Sequence, residues 1–124
     1  MVAGAESVMA TVSPMEFTAT ESGFEGGMGG ASNTAGTKNY HYVLFGRQTD
    51  EQHPDSSGVY FEFDDQIHGA VDWVTRVAIA DDQVRFELKD GQNIIVSRGM
   101  AEPHWSGFLR GIHDAFGDGI VQKG

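Results

Sequence analysis

Residues 59–96, VYFEFDDQIHGAVDWVTRVAIADDQVRFELKDGQNIIV, hold the patterning that decides the fold class. In Val59-Tyr60-Phe61-Glu62-Phe63, Val77-Ala78-Ile79-Ala80 and Val84-Arg85-Phe86-Glu87-Leu88, apolar side chains alternate with others, which is the period of a half-buried strand. Lys89-Asp90-Gly91-Gln92 separates the last of these from the next apolar run, and Asp-Gly supplies the positive φ angles of a tight hairpin. Asp81-Asp82-Gln83 reads as a similar, weaker turn. The expectation is a meander: strands at 59–63, 73–80, 84–89 and 93–97, with an acidic connection at 64–72. Such a sheet has one apolar face, and that face needs a cover.

The cover follows directly. Glu102-Pro103 reads as a helix start, because proline at the first helical position forgoes an N–H that has no partner there anyway. Trp105, Phe108, Leu109, Ile112 and Phe116 then recur at offsets of 0, 3, 4, 7 and 11, one face of a 3.6-residue period, and Gly117 reads as the stop. Gly107 and Gly111 each cost this helix about 1 kcal/mol relative to alanine, so it depends on docking. Its apolar stripe is expected on Phe61, Phe63, Val77, Ile79, Phe86 and Leu88.

Upstream, residues 40–46, YHYVLFG, read as a strand with Tyr40, Tyr42 and Leu44 on one side and His41, Val43 and Phe45 on the other. Both sides are apolar, which places it centrally in a sheet. Residues 12–20 hold a short strand, 47–57 a polar loop, and 21–38 a glycine-rich flexible loop with almost nothing to bury. That loop lacks the lysine and hydroxyl spacing of a phosphate cradle. The whole is one α+β domain over residues 1–124: an antiparallel meander of about five to six strands with one C-terminal amphipathic helix packed on one face.

Composition narrows the chemistry. The chain has no cysteine, which excludes disulfides, iron–sulfur clusters and thiolate zinc sites. Eighteen acidic residues against eight basic ones leave a formal net charge of −10. Nucleic acid is a poor partner for such a chain, whereas a basic protein is drawn in, with on-rates raised roughly 10- to 1,000-fold at low salt. The first seventeen residues show no basic start followed by a leader-length apolar run, and no stretch approaches the ~20 apolar residues of a membrane span, so a soluble cytoplasmic protein is expected.

Glu62, Asp64, Asp65, His68 and Asp72 form the densest cluster of polar side chains, but their spacing matches no twelve-residue calcium loop. Glu62 and Glu87 sit in outward phase on their strands, yet among so many carboxylates such pairs arise by chance. Ser97 and Ser106 lack the strained turn of a nucleophile, and the five histidines are scattered, His104 and His113 being nine residues apart. No metal, cofactor or catalytic residue is therefore expected, and the cluster reads as a binding surface. Trp73, beside Asp72, and Arg47 join it because tryptophan, tyrosine and arginine dominate interface hot spots.

The run YHYVLFGRQTDEQ from Tyr40, the glycine-led VYFEFDDQ from Val59 and the hairpin VTRVAIADDQVRFEL ending at Leu88 resemble the immunity protein 10 family of bacterial toxin systems, as does a terminal helix closing near Phe116. The likeness covers half to two-thirds of the chain. The glycine-rich stretch at 26–36 has no counterpart in that pattern, and DDQIHGAVDW lacks the glycine and tyrosine run expected there. The resemblance implies a small cytoplasmic antidote that binds and blocks the basic C-terminal domain of a cognate toxin. In that setting Asp50, Glu51, Glu62, Asp64, Asp65 and Asp72 present a negative surface, and Gln66, His68 and Trp73 add directional contacts. Two other classes are compatible with the residues: a structural or regulatory domain that forms a homodimer through an exposed strand edge, and a metal- or carboxylate-dependent enzyme.

Overall fold

The alternating segments build two sheets instead of one. The computed structural model describes residues 14–25, 28–33, 40–48, 58–117 and 119–123, leaving aside the side chains of residues 24, 25, 48, 66 and 67. In chain order the strands are β1 (Met15–Ala19), β2 (Glu21–Glu25), β3 (Met28–Ser32), β4 (Tyr42–Gln48), β5 (Gly58–Phe63), β6 (Asp65–Val71), β7 (Val74–Ile79), β8 (Gln83–Leu88) and β9 (Asn93–Arg98). Helix α1 (His104–Phe116) follows, and β10 (Val121–Lys123) closes the series. The α+β class, the antiparallel meander and the terminal helix are as expected.

The first sheet runs β1-β9-β8-β7-β10 and the second β2-β3-β4-β5-β6. In the first, the hairpins β7–β8 and β8–β9 are antiparallel, while β1 joins β9 and β10 joins β7 in parallel. The Asp-Gly turn forms as the sequence requires: Gly91 has φ 88, and the Leu88 N–H donates to the Gln92 carbonyl at 2.9 Å. The second sheet is antiparallel throughout, with β4 at its centre, as its two apolar sides demand.

Two expectations are corrected here. The connection at 64–72 is largely strand β6, and the glycine-rich stretch supplies the hairpin β2–β3, although residues 34–39 lie outside the described ones. Glycine-rich composition hides a strand because it has no side-chain alternation to read. In β3 the glycine serves close pairing, since a Cβ on Gly30 would collide with the Val43 carbonyl oxygen.

Between the sheets lies an aromatic core. Phe45 on β4 and Phe61 on β5 meet Phe86 on β8, with ring centroids 6.1 and 4.9 Å away. The helix caps this cluster from one side, Phe116 lying 5.4 Å from Phe45 and 6.0 Å from Phe86, and Phe108 6.1 Å from Phe45. Its face packs along β2, β3 and β4. Of the residues expected beneath it, Phe61 is instead covered by Phe86 of the opposite sheet, and Phe63 stacks on Trp73. One sheet is the cover of the other, so the helix has only the remaining flank to close.

The helix ends are set locally. It begins at His104, one residue after Pro103, and Glu102 accepts the Ser106 backbone N–H at 2.9 Å and the Ser106 hydroxyl. Gly117 stops it at φ 75, its N–H donating to the His113 carbonyl at 2.9 Å. The Ser106 hydroxyl and N–H hold the Glu102 carboxyl below its ordinary pKa. A depressed folded pKa stabilises above the unfolded value, and the contribution is lost as pH falls through the folded one.

Two outcomes follow. Phe45→Ala removes the ring shared by both sheets and the helix, and chemical denaturation should show a loss of about 3–5 kcal/mol. Glu102→Gln should lower the thermal midpoint at neutral pH, and the two proteins should converge as pH drops through the carboxylate range.

Candidate functional site

The outer face of the second sheet carries the polar chemistry. In β4, Val43 and Phe45 are buried toward the core, so Tyr42 and Leu44 turn outward; in β5, Tyr60 and Glu62 share that outward phase. Strand register then assembles three rows. Gly23, Gly30, Leu44, Glu62 and Gly69 line up across all five strands. Glu21, Ser32 and Tyr42 form the row on one side, and Met28, Gly46, Tyr60 and Val71 the row on the other.

Glu62 sits on this outer face at only 5% exposure. It is enclosed because Tyr42 and Tyr60, from the flanking rows, both donate their hydroxyl protons to its carboxylate, Tyr60 at 2.5 Å to Oε1 and Tyr42 to Oε2. Two charge-assisted hydrogen bonds compensate the burial of the anion. The cost of taking a proton from either phenol rises accordingly. Tyr42 is raised well above its ordinary value, first by burial and then by the hydrogen bond and charge of Glu62, and Tyr60 is pushed up to about 12, first by its bond to Glu62.

Asp64 and Asp72, at the two ends of β6, are braces. Both adopt positive φ, 61 and 56, a conformation that aspartate tolerates better than most residues. Asp64 donates its N–H to the Tyr42 carbonyl at 3.2 Å and accepts the Tyr42 N–H on Oδ1 at 3.1 Å, while Oδ2 lies 2.8 Å from His41 Nδ1. Asp72 does the same with Val59, its N–H donating at 2.8 Å and its Oδ1 accepting at 3.1 Å. Gly58 is glycine for this reason: it has φ 154, and a Cβ there would run into the Asp72 carboxylate.

The other expected site residues fall in different places. Asp65 and His68 are exposed on β6, the His68 ring stacked 4.8 Å from Phe63. Trp73 is half-buried against Phe61 and Phe63, part of the core margin and not a projecting anchor. Arg47 lies at the far end of β4, its Nε donating to the Asp114 carbonyl at 3.4 Å. Gln66 lies on β6 with its side chain outside the described ones, and Asp50 and Glu51 are outside the described residues altogether. Sequence reasoning missed Tyr40, Tyr42, Tyr60 and Glu21. The shared phase of Tyr42 and Leu44, and of Tyr60 and Glu62, was visible, but not the register that joins them.

Beside the clamp, the outer face of β2, β3 and β4 opens into a trough of about 710 Å³ lined by Glu21, Gly23, Met28, Gly30, Ser32, Tyr40, Tyr42 and Leu44. Tyr40 is the large apolar side chain left exposed there, at 43%, with its ring centroid 6.1 Å from that of Tyr42. Among the described residues no three carboxylate or imidazole groups converge as a metal site would require, and no helix is long and apolar enough to cross a membrane. Compared with protein-family models, curated proteins and solved structures, the chain matches none of them.

The clamp makes a sign-definite prediction. Raised phenol pKa values give stability that is complete below about pH 10 and is lost as pH rises through the folded values. In an alkaline titration followed by tyrosinate absorbance, the late-ionising signal should shrink in Tyr42→Phe and in Tyr60→Phe. In Glu62→Gln it should move back toward ordinary tyrosine.

Proposed function

We propose that this chain is a cytoplasmic immunity protein that binds and occludes a cognate bacterial toxin, presenting the outer face of its second sheet to a basic C-terminal domain. The observation that carries this reading is the uneven distribution of charge. The second sheet and its corners hold Glu21, Glu62, Asp64, Asp65 and Asp72 against the single cation Arg47 among the described residues. The first sheet and its turns hold Arg76, Arg85, Lys89, Arg98 and Lys123 interspersed with Glu16, Asp81, Asp82, Glu87 and Asp90. Arg76 pairs with Glu87 at 3.0 Å, and Arg98 lies 3.9 Å from Asp82. Among the described side chains the second sheet and its corners thus carry a net charge of −4, while the first sheet is balanced.

A face of one sign on a stiff sheet suits an inhibitor whose target has a positive cleft shaped to hold phosphate. It speeds encounter and rejects partners of like charge. The mode of action is occlusion: the protein performs no chemistry and fills the toxin's cleft. The resemblance of residues 40–88 to the immunity protein 10 family points to the same class.

A second reading, self-association, is favoured by the edge of the same sheet. The bond from the Asp72 N–H to the Val59 carbonyl marks a hydrogen-bonded pair, so by alternation Gly69 and Val71 direct their backbone groups away from β5. Among the described residues no strand lies beyond β6. Sedimentation at two protein concentrations separates the readings, since a homodimer that persists when the basic domain is added belongs to the second.

The direct test is to look in the neighbouring reading frame for a large modular protein with a basic C-terminal domain and to co-express that domain with this chain. Protection of growth and co-purification are expected. Glu21→Lys combined with Asp65→Lys, two exposed positions, should slow association on the order of tenfold at low salt, with the difference shrinking as salt rises. Unchanged association kinetics would remove the outer face from the interface.

A further inference from the structure

The trough on the outer face has a chemical character that narrows what enters it. Its floor is glycine at Gly23 and Gly30, one wall is the tyrosine pair Tyr40 and Tyr42, and Glu21 stands at its rim. The Tyr42 hydroxyl is already committed as a hydrogen-bond donor to Glu62, so its oxygen meets an incoming group only as an acceptor. The Glu21 carboxylate is likewise acceptor-only. Behind Tyr42, the Glu62 carboxylate adds negative potential with no cation beside it among the groups that bind it. The site therefore favours a cation rich in donors and able to lie flat against an aromatic ring.

We propose that the trough receives an arginine side chain of a protein partner, the guanidinium lying along the Tyr40–Tyr42 wall and donating to Glu21 and the Tyr42 oxygen. This rests on the reading of the protein as a binder of a basic domain and identifies the group recognised. Arginine fits better than lysine because its planar fork stacks on aromatic faces and pairs with a carboxylate through two donors. A volume of about 710 Å³ admits the side chain together with its flanking backbone.

Gly23 provides a probe, with the spectrum away from the trough as the check on the fold. A Cβ built on it meets nothing within 4 Å, so the side chain of Gly23→Leu starts into the trough without a clash with the backbone. The full chain, labelled with nitrogen-15, is titrated with N-acetyl-arginine methylamide, with its lysine counterpart and with the neutral citrulline counterpart. Arginine should move the backbone amide signals of Gly23, Gly30 and Ser32, lysine more weakly, and citrulline not at all. Gly23→Leu should abolish that response with the remaining spectrum unchanged, and should weaken binding of the basic domain by on the order of tenfold.

Equal shifts with citrulline, shifts spread over the whole acidic surface, or an undiminished response in Gly23→Leu would overturn the assignment. So would a guanidinium response that Gly23→Leu abolishes while affinity for the basic domain stays the same, because the trough would then take a small cation and no partner side chain. Failure of the toxin reading has a different signature: a selective arginine response that Gly23→Leu removes, in a protein that neither binds the basic domain nor protects growth.

Discussion

Where β5 turns into β6, and where the chain leaves β6 for the other sheet, backbone groups lose their ladder partners, and two aspartates replace them. Asp64 and Asp72 each take a neighbouring residue's N–H on the side chain and return their own N–H to that residue's carbonyl. Each thereby imitates a ladder pair while the main chain turns through positive φ. Buried or half-buried N–H groups without partners would cost about 1–3 kcal/mol each, so these contacts fix where β6 begins and ends. With β6 placed, Trp73 is carried into the margin of the core against Phe61, and β7 starts the opposing sheet one residue later.

Part of the acidity is therefore architectural. Asp64, Asp72 and Glu62 are bound to backbone or to tyrosine hydroxyls, and these bonds hold their charges in fixed positions. Fixed charge differs from a mobile acidic loop, because it needs no ordering when a partner arrives. The first sheet, with its interleaved signs, contributes a near-neutral back. The functional proposal thus draws on the same contacts that hold the fold.

Much of this was legible in advance, and the failures have definite causes. Alternation located β5, β7 and β8, the apolar run after Asp90-Gly91 located β9, and the two apolar sides of β4 placed it at a sheet centre. Asp90-Gly91 and Gly117 punctuated the chain where expected. The division into two sheets was not legible, because it turns on Asp72, whose role depends on a partner thirteen residues away, Val59. Strand β6 escaped because Asp65, Gln66, His68 and Gly69 break the apolar period, and β3 because its glycines carry none. The tyrosine clamp joins Tyr42 to Glu62 across twenty positions, a distance at which periodicity says nothing without register.

The parallel edges of the first sheet bear on how the chain reaches this state. β1 finds its place only beside β9, with Met15 opposite Ile94, and β10 only beside β7, with Val121 opposite Val77. The hairpins between them close over a few residues each, whereas these two joints span most or much of the chain, so they come late and slowly. During synthesis β1 waits without its neighbour until β9 has left the ribosome. The interval exposes an unpaired strand, the kind of edge through which incompletely folded chains associate with one another.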